Sequence, residues 1–248
     1  MADQSLTDTN FQKWRDGLTR AVTNPKWNGW DCEIQMAVNE YNRHLSGKAG
    51  YVSLDWKMIK AMVWVETGAN HSEWKVKPLQ IGVMGDPGLH ALLSSKEGGD
   101  LILLPEWKER MTISSVRTNP SHNIRAGIGY LLMRMANFKY VSVVAGDGKI
   151  HEIKVKPGDS LAKIASAQQS TLEVMQKLNP TAVVLRPGQS VKVQKAHIKQ
   201  VITSWRAVTV MSVAVQYNSM RRDKNYGRKL SHAYDLVGQG LGVSSCAY

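Results

Sequence analysis

The sequence contains little cysteine and no long apolar run. Its two cysteines, Cys32 and Cys246, lie in no CxxC pair and no zinc-type spacing, which excludes the common zinc and redox motifs. They either form one disulfide in an oxidising compartment or remain two free thiols, and the sequence favours neither. No apolar run approaches the roughly 18 to 20 residues of a membrane span, so we expect none.

The motifs of several large enzyme classes are also missing. There is no GxxxxGK[ST] phosphate loop, no HExxH zinc-protease helix and no GxSxG nucleophile elbow, and the seven histidines are scattered. The residues therefore predict no metal site and no cofactor.

Positive charge is abundant. Lysine and arginine outnumber aspartate and glutamate by 32 to 20, which gives a formal net charge of +12. This excess favours a polyanionic partner such as nucleic acid, an anionic membrane or a bacterial cell wall, although solubility alone is an alternative explanation. Because no nucleic-acid-binding motif accompanies the charge, nucleic acid is not an expected partner.

The spacing of apolar residues predicts a helical first part of the chain. Periods near 3.6 residues indicate helices over 11–22, 30–45, 54–67 and 121–138. Ser53 is the predicted N-cap of the third helix and Gly68 its stop. The length of 248 residues suits one sizeable domain with or without a small module.

The pattern changes after residue 139. The stretch YVSVVAGDGKIHEIKV, residues 140–155, predicts a β-hairpin around Gly-Asp-Gly. From Ala196 the helical period returns and continues to Val215. Its apolar positions are Ile198, Val201, Ile202, Trp205 and Val208.

Residues 151–195 carry a series of short motifs in a fixed order. After a strand at Val155 come Gly-Asp-Ser-Leu at 158–161, Asn-Pro at 179–180, Pro-Gly-Gln at 187–189 and a closing strand at 191–193. This order closely resembles the LysM module. The resemblance implies a βααβ fold that binds N-acetylglucosamine in peptidoglycan glycan strands. The sugar contacts it implies are Gly158, Asp159, Ser160, Leu161, Leu185 and Pro187. Turn formation and helix capping are the alternative roles for these residues.

A single carboxylate interrupts the apolar face of the third helix. Met62, Val63 and Glu66 follow Ile59 at i+3, i+4 and i+7, so all four share one face. Burial of an unpaired carboxylate is costly and raises the pKa of a carboxyl group. A carboxyl group that stays protonated near neutral pH is suited to general-acid catalysis. Glu66 is therefore the candidate catalytic residue.

Three further segments extend this observation. Glu66-Thr67-Gly68 is followed by Leu-Gln-Ile at 79–81, NIRAGIGYL at 123–131 and AVQYN at 214–218. Together they resemble the catalytic domain of soluble lytic transglycosylases and goose-type lysozymes, with Lys77–Pro78 in place of the usual Gly-Leu. The resemblance implies catalysis by Glu66. The substrate contacts it implies are Thr67, Gln80, Asn123, Tyr130, Tyr217 and Asn218.

The order of the segments predicts an insertion. Three lie before the LysM-like residues and one lies after them, so the module interrupts a lysozyme-like domain. We expect an α+β fold: a mainly α-helical lysozyme-like domain formed by residues 1–140 and 197–248, with a small βααβ module at 141–196. The alternative is a catalytic domain that ends near residue 140, followed by an unrelated tail.

The resemblance implies cleavage of the β-1,4 bond between N-acetylmuramic acid and N-acetylglucosamine. Lytic transglycosylases use one glutamate and leave a 1,6-anhydro end. A hydrolytic muramidase needs a second carboxylate, for which Glu73 and Asp86 are candidates. A non-catalytic wall-docking protein is the further alternative.

The first ten residues, MADQSLTDTN, do not resemble a secretory signal. We therefore expect synthesis in a bacterial cytoplasm and action in the periplasm of a target cell or outside the cell. The architecture is similar to wall-degrading antibacterial effectors of contractile secretion systems, with phage lysins as the alternative. A cognate immunity protein and a spike or tube component of the secretion machine are then the expected protein partners.

Overall fold

The computed structural model describes residues 2–218, 223–241 and 246. The fold is α+β, as predicted. It divides into two compact units: a helical unit formed by Met1–Asn137 with Ile202–Tyr248, and an inserted unit formed by Phe138–Val201. This division lies a few residues outside the predicted boundaries near 140 and 197.

The α-helices of the described residues begin at Ala2. In chain order they are α1 (Ala2–Ala21), α2 (Asp31–Leu45), α3 (Trp56–Glu66), α4 (Pro87–Leu93), α5 (Gly99–Ile102), α6 (Pro105–Lys108), α7 (Ile113–Thr118), α8 (Pro120–Met135), α9 (Leu161–Ala167), α10 (Leu172–Leu178), α11 (Val210–Gln216) and α12 (Tyr226–Gly238). Short 3-10 helices occupy Pro25–Asn28, Ser72–Lys75 and Ser95–Glu97.

Helix α3 is the buried centre of the helical unit and packs against α2 and α12. The prediction that Ser53 caps it is wrong, because the cap is Asp55, whose side chain accepts a hydrogen bond from the Lys57 N–H. Gly68 ends the helix as predicted. Its φ of 65° lies in the left-handed region that favours glycine, and its N–H donates to the Val63 carbonyl.

Helix α8 begins as predicted but ends earlier. Asn119 caps it and Pro120 occupies its first turn. The helix ends at Met135 rather than 138, because Ala136 already begins a strand. Its glycines permit close packing: a Cβ at Gly129 would lie 2.6 Å from the Tyr41 hydroxyl of α2. At Gly127 the approaching residue is Leu79, from a loop rather than a helix.

In the described part of the chain, four strands form two separate pairs. They are β1 (Ala136–Val144), β2 (Ile150–Lys154), β3 (Ser190–Gln194) and β4 (Ala196–Trp205). Strand β1 pairs with β4, whereas β2 runs antiparallel to β3 from Ile150 opposite Gln194 to Lys154 opposite Ser190. The predicted hairpin over 140–155 is therefore wrong: its turn joins strands of two different sheets.

The predicted helix from Ala196 is also wrong over its first ten residues, which form β4. Its β-branched residues, Ile198, Val201, Ile202 and Thr203, suit a strand, and β1 supplies the pairing partner. The helical part begins only at Val210, after a capping box formed by Thr209 and Ser212.

The inserted unit has its own small core between β2–β3 and α9–α10. The core residues are Val155, Ile164, Ala165, Met175, Val191 and Val193. Ser160 and Thr171 cap the two helices through their hydroxyl groups. Within the unit, β2, α9, α10 and β3 therefore follow one another in the predicted βααβ order.

Buried charges and one disulfide connect distant parts of the helical unit. Cys32 of α2 is bonded to Cys246, with 5.4 Å between their Cα atoms. Lys60 and Asp31, each 1% exposed, form an ion pair of 2.6 Å. Arg125 of α8 pairs with Glu33 and Glu40 of α2. The two glutamates are seven residues apart and so share one helix face.

Among the described residues, none of the helices has both the length and the apolar character needed to cross a membrane. Within the same part of the chain, histidine, cysteine, aspartate and glutamate form no group of three or more that is able to hold a metal ion.

Candidate functional site

Glu66 lies at the end of α3 on the wall of a cavity of about 400 Å³ in the helical unit. The cavity is lined by residues from α3, the loop before α4, α8 and the end of α11. Four of the predicted substrate contacts line it: Gln80, Tyr130, Tyr217 and Asn218. The structure thus brings together residues that are up to 152 positions apart in the chain.

The side chain of Glu66 has a hydrogen-bond partner that the sequence did not indicate. The Tyr226 hydroxyl, at the start of α12, donates to Glu66 Oε1 over 2.8 Å. Tyr226 is 2% exposed. Burial, followed by the charge of Glu66, raises the pKa of Tyr226 well above its usual value, so Tyr226 is a neutral donor. No local pattern around Tyr226 marks this contact, which spans 160 residues.

Tyr217 was predicted to contact the glutamate or the sugar, but the structure gives its hydroxyl another partner. It donates to the Leu79 carbonyl over 2.9 Å, and its ring meets that of Tyr130 edge-on with centroids 5.6 Å apart. Burial, followed by Glu66 and Asp86, raises the pKa of Tyr217. Tyr217 therefore fixes the loop that carries Gln80 and forms an aromatic wall with Tyr130.

Beside this wall, Asn218 has a polar side-chain atom with no hydrogen-bond partner among the described residues. Its Oδ1 is buried and accepts no hydrogen bond from any described residue. A buried acceptor without a donor is rare in folded proteins and indicates a ligand or water position. On this cavity wall, Asn218 is able to accept a hydrogen bond from a substrate N–H or O–H.

The two candidates for a second carboxylate differ in position. Asp86 lines the cavity, but its two oxygens accept hydrogen bonds from the Gly88 N–H at 2.9 Å and the Gly82 N–H at 3.0 Å. It is the N-cap of α4. Glu73 does not line the cavity and forms an ion pair with Lys77 at 2.7 Å.

Thr67 and Asn123 do not line the cavity, although both were predicted to contact substrate. The Thr67 hydroxyl donates to the carbonyls of Val63 and Pro78. Asn123 is fully buried, where it accepts from the Leu79 N–H and donates to the Ile81 and Val116 carbonyls. Both side chains hold the loop of residues 78–81 in place, so they support the wall of the cavity rather than form its surface.

A second cavity, of about 730 Å³, lies in the inserted unit. Asp159, Ser160, Leu161 and Leu185 line it, together with Leu172, Gln176 and the loop of residues 179–184. Gly158 and Pro187 lie outside this lining. The cavity is bordered by Val183 and Val184, which are 89% and 77% exposed.

The predicted sugar contacts of this second cavity also have structural roles. Ser160 Oγ accepts from the Lys163 N–H as a helix cap, and Asp159 Oδ2 accepts from the Lys156 N–H at 2.7 Å. Gly158 adopts a φ of 80°, which favours glycine. Asp159 and Ser160 therefore combine a turn or capping role with a position on the cavity wall, whereas Gly158 contributes to the turn alone.

Comparison with known proteins characterises the inserted unit. Neither the curated proteins nor the solved structures gave a match to the chain. Residues 153–194 match the family model of the LysM domain. They contain β2 from Ile153 onward, α9, α10 and β3, and they include the residues named above as the lining of the second cavity. Residues 153–194 are therefore a LysM domain, a peptidoglycan-binding module.

Proposed function

We propose that the chain is a peptidoglycan-cleaving enzyme in which the LysM domain binds the wall and the helical unit cleaves its glycan strands. The bond cleaved is the β-1,4 linkage between N-acetylmuramic acid and N-acetylglucosamine. One observation carries the proposal: Glu66 opens onto a cavity lined by Gln80, Tyr130 and Asn218, whose polar groups suit acetamido and hydroxyl groups.

Glu66 acts first as an acid and then as a base. Its carboxyl group delivers a proton to the glycosidic oxygen as the bond from that oxygen to C1 of the muramic acid breaks. The resulting carboxylate takes the proton of the muramic acid's own 6-hydroxyl, and O6 closes onto C1. The product is a 1,6-anhydro ring, and no water is consumed. Tyr226 holds Glu66 Oε1 during both transfers.

The position of Asp86 favours this one-carboxylate reaction over hydrolysis. A hydrolytic enzyme would need Asp86 as its nucleophile or base, yet both of its oxygens are engaged by backbone N–H groups. A muramidase, including one of the phage-lysin type, is therefore the second candidate.

The reaction is tested by mass spectrometry of purified peptidoglycan after digestion. We expect products one water lighter than ordinary muropeptides, and we expect Glu66→Gln to release none. Glu73→Gln is the matched control, because Glu73 lies outside the cavity, and it should cleave as the wild type does.

The other outcomes identify the alternatives. Products with a reducing end would indicate hydrolysis and point to Asp86. If the wild type binds the wall but releases no soluble product, the chain would be a wall-docking protein whose helical unit has no cleaving activity.

We further propose that the chain acts in the periplasm of a target cell as a delivered antibacterial effector. The disulfide between Cys32 and Cys246 supports an oxidising compartment. A cognate immunity protein would then cover the Glu66 cavity, and a spike or tube component would carry the chain. Export that continues after deletion of the contractile sheath would contradict this delivery route.

A further inference from the structure

The helical unit contains another cavity, of about 310 Å³, that shares no lining residue with the Glu66 cavity. It is enclosed by the loop before α3, the end of β4 and the middle of α12. The lining includes Tyr51, Ser53, Asp55, Trp205, Arg206 and Tyr234. Its volume lies at the lower end of the range of small-ligand sites, which begins near 300 Å³.

Three aromatic rings form the walls of this cavity. Tyr51 and Trp205 meet edge-on with ring centroids 4.9 Å apart, and Tyr234 also lines the cavity. The hydroxyl groups of the tyrosines are engaged, because Tyr51 donates to Asn42 Oδ1 and Tyr234 donates to Asp55 Oδ2. The rings are thus held in fixed positions and offer apolar surface.

Among the described residues, the indole N–H of Trp205 has no hydrogen-bond partner. Its Nε1 is buried and bonds to no described residue. A buried indole N–H usually finds an acceptor, and one that does not requires an explanation. This cavity therefore combines aromatic surface with one buried hydrogen-bond donor, the Trp205 N–H, that is not paired with any described residue.

We propose that this cavity is a second saccharide site, which takes an N-acetylated hexosamine. The aromatic rings would pack against the apolar C–H face of the sugar, and the Trp205 N–H would donate to the acetamido carbonyl. Ser53 and Arg206 supply hydrogen-bonding groups for the sugar hydroxyls. We choose this class of sugar because the LysM domain in the same chain is a peptidoglycan-binding module, and peptidoglycan strands consist of N-acetylated hexosamines.

The site is separate from the proposed chemistry. Asp55 caps the start of α3 at this cavity, whereas Glu66 ends the same helix at the other. Eleven residues at 1.5 Å each place the two ends about 16 Å apart. Sugar binding here therefore does not depend on whether Glu66 cleaves anything.

Fluorine NMR of the full chain labelled with 5-fluorotryptophan tests the proposal. The chain has eight tryptophans, of which none lies in the LysM domain and Trp205 alone lines a cavity described above. Trp205→Phe assigns the Trp205 resonance, and Trp205→Tyr serves if that variant does not fold. Titration with a chitin tetrasaccharide should shift the Trp205 resonance saturably, while the Trp107 resonance, outside these cavities, should stay in place.

A blocking variant gives the decisive comparison. Ser53 is exposed at the cavity, so Ser53→Arg should fill it without unfolding the chain and should abolish the Trp205 shift. Calorimetry should still detect sugar binding by the LysM domain. A Trp205 resonance that stays in place while the LysM domain saturates, or that shifts equally in Ser53→Arg, would overturn the proposal.

Discussion

Tyr226 and Tyr217 are near Glu66, but their hydroxyl groups have different partners. Tyr226 donates to the Glu66 carboxylate, whereas Tyr217 donates to a backbone carbonyl. Burial raises the pKa of both residues, so both stay neutral across the range in which an enzyme works. Comparing variants of the two tyrosines therefore distinguishes the positioning of Glu66, by Tyr226, from the support of the cavity wall, by Tyr217.

We expect Tyr226→Phe to lower kcat about ten- to a hundredfold, because a hydrogen bond to a charged group contributes about 1.5 to 3 kcal/mol. The alkaline limb of the pH–rate profile should also move to higher pH, since the lost hydroxyl favours the ionised form of the carboxylate. Both effects are measured as peptidoglycan cleavage across pH.

Tyr217→Phe is the control for this prediction. It removes a hydroxyl of the same kind from the same cavity but leaves the Glu66 bond intact, so the alkaline limb should stay where it is. If the alkaline limb of the pH–rate profile moved equally in both variants, Tyr226 would have no specific role in positioning Glu66.

At this scale the sequence predicted the residues of the site better than their roles. Gln80, Tyr130 and Asn218 line the Glu66 cavity, but Asn123 is buried behind it. A sequence motif cannot separate a side chain that faces a cavity from one that supports its wall. Tyr226 was missed because its contact depends on how α12 packs against α3, which no local pattern encodes.

At the scale of elements, Asn123 connects α8 to two other segments. Its amide makes three hydrogen bonds, to Leu79, Ile81 and Val116, and all three lie in the buried interior. These bonds fix the loop that carries Gln80 against α8.

We expect Asn123→Ala to lower the free energy of unfolding by about 3 kcal/mol, because three buried backbone groups lose their partner. Asn119→Ala, which removes the cap of the same helix, should cost only about 1 kcal/mol. Urea unfolding of both variants measures the difference, and equal losses would contradict the connecting role of Asn123.

The long helices were predictable because their apolar residues recur at a regular period, as in α2, α3 and α8. The strands were harder. The apolar residues of β4 have spacings that also fit a helix. The segment forms a strand because it pairs with β1, about 60 residues away in the sequence. Non-local pairing also explains why β1 and β2 form no hairpin, although the turn between them suggested one. β1 pairs with β4, and β2 pairs with β3.

At the scale of the whole molecule, the disulfide joins two cysteines of the helical unit that are 214 positions apart in the sequence. We expect reduction to lower the free energy of unfolding of this unit by about 2 to 5 kcal/mol. The LysM domain contains no cysteine, so its unfolding should not change. Thermal melts with and without reductant test this, with Cys32→Ser as the control that should not respond to reductant.

Buried tyrosines make the chain sensitive to alkali. Burial raises the pKa of Tyr51 to about 12, and it also raises those of Tyr41, Tyr217 and Tyr226. Between pH 10 and 12 the unfolded chain loses these protons while the folded chain keeps them. Stability should therefore be unaffected by these groups below pH 10 and fall as pH rises above it.

The urea midpoint measured from pH 8 to pH 11.5 checks this expectation. Tyr51→Phe should weaken the decline above pH 10, whereas Tyr140→Phe should not, because Tyr140 is 67% exposed. A midpoint that stays constant up to pH 11.5 would contradict it.

The disulfide and the insertion together have a consequence for proteolysis. Cys32 precedes the inserted unit and Cys246 follows it, so a cut anywhere between Asn137 and Ile202 leaves two fragments joined by one covalent bond. A protease that cuts the chain within the inserted unit would thus produce a two-chain protein that still carries Glu66 and Tyr226 on opposite fragments. On a denaturing gel such a molecule would migrate as one species without reductant. Its two fragments would separate only after the disulfide is reduced.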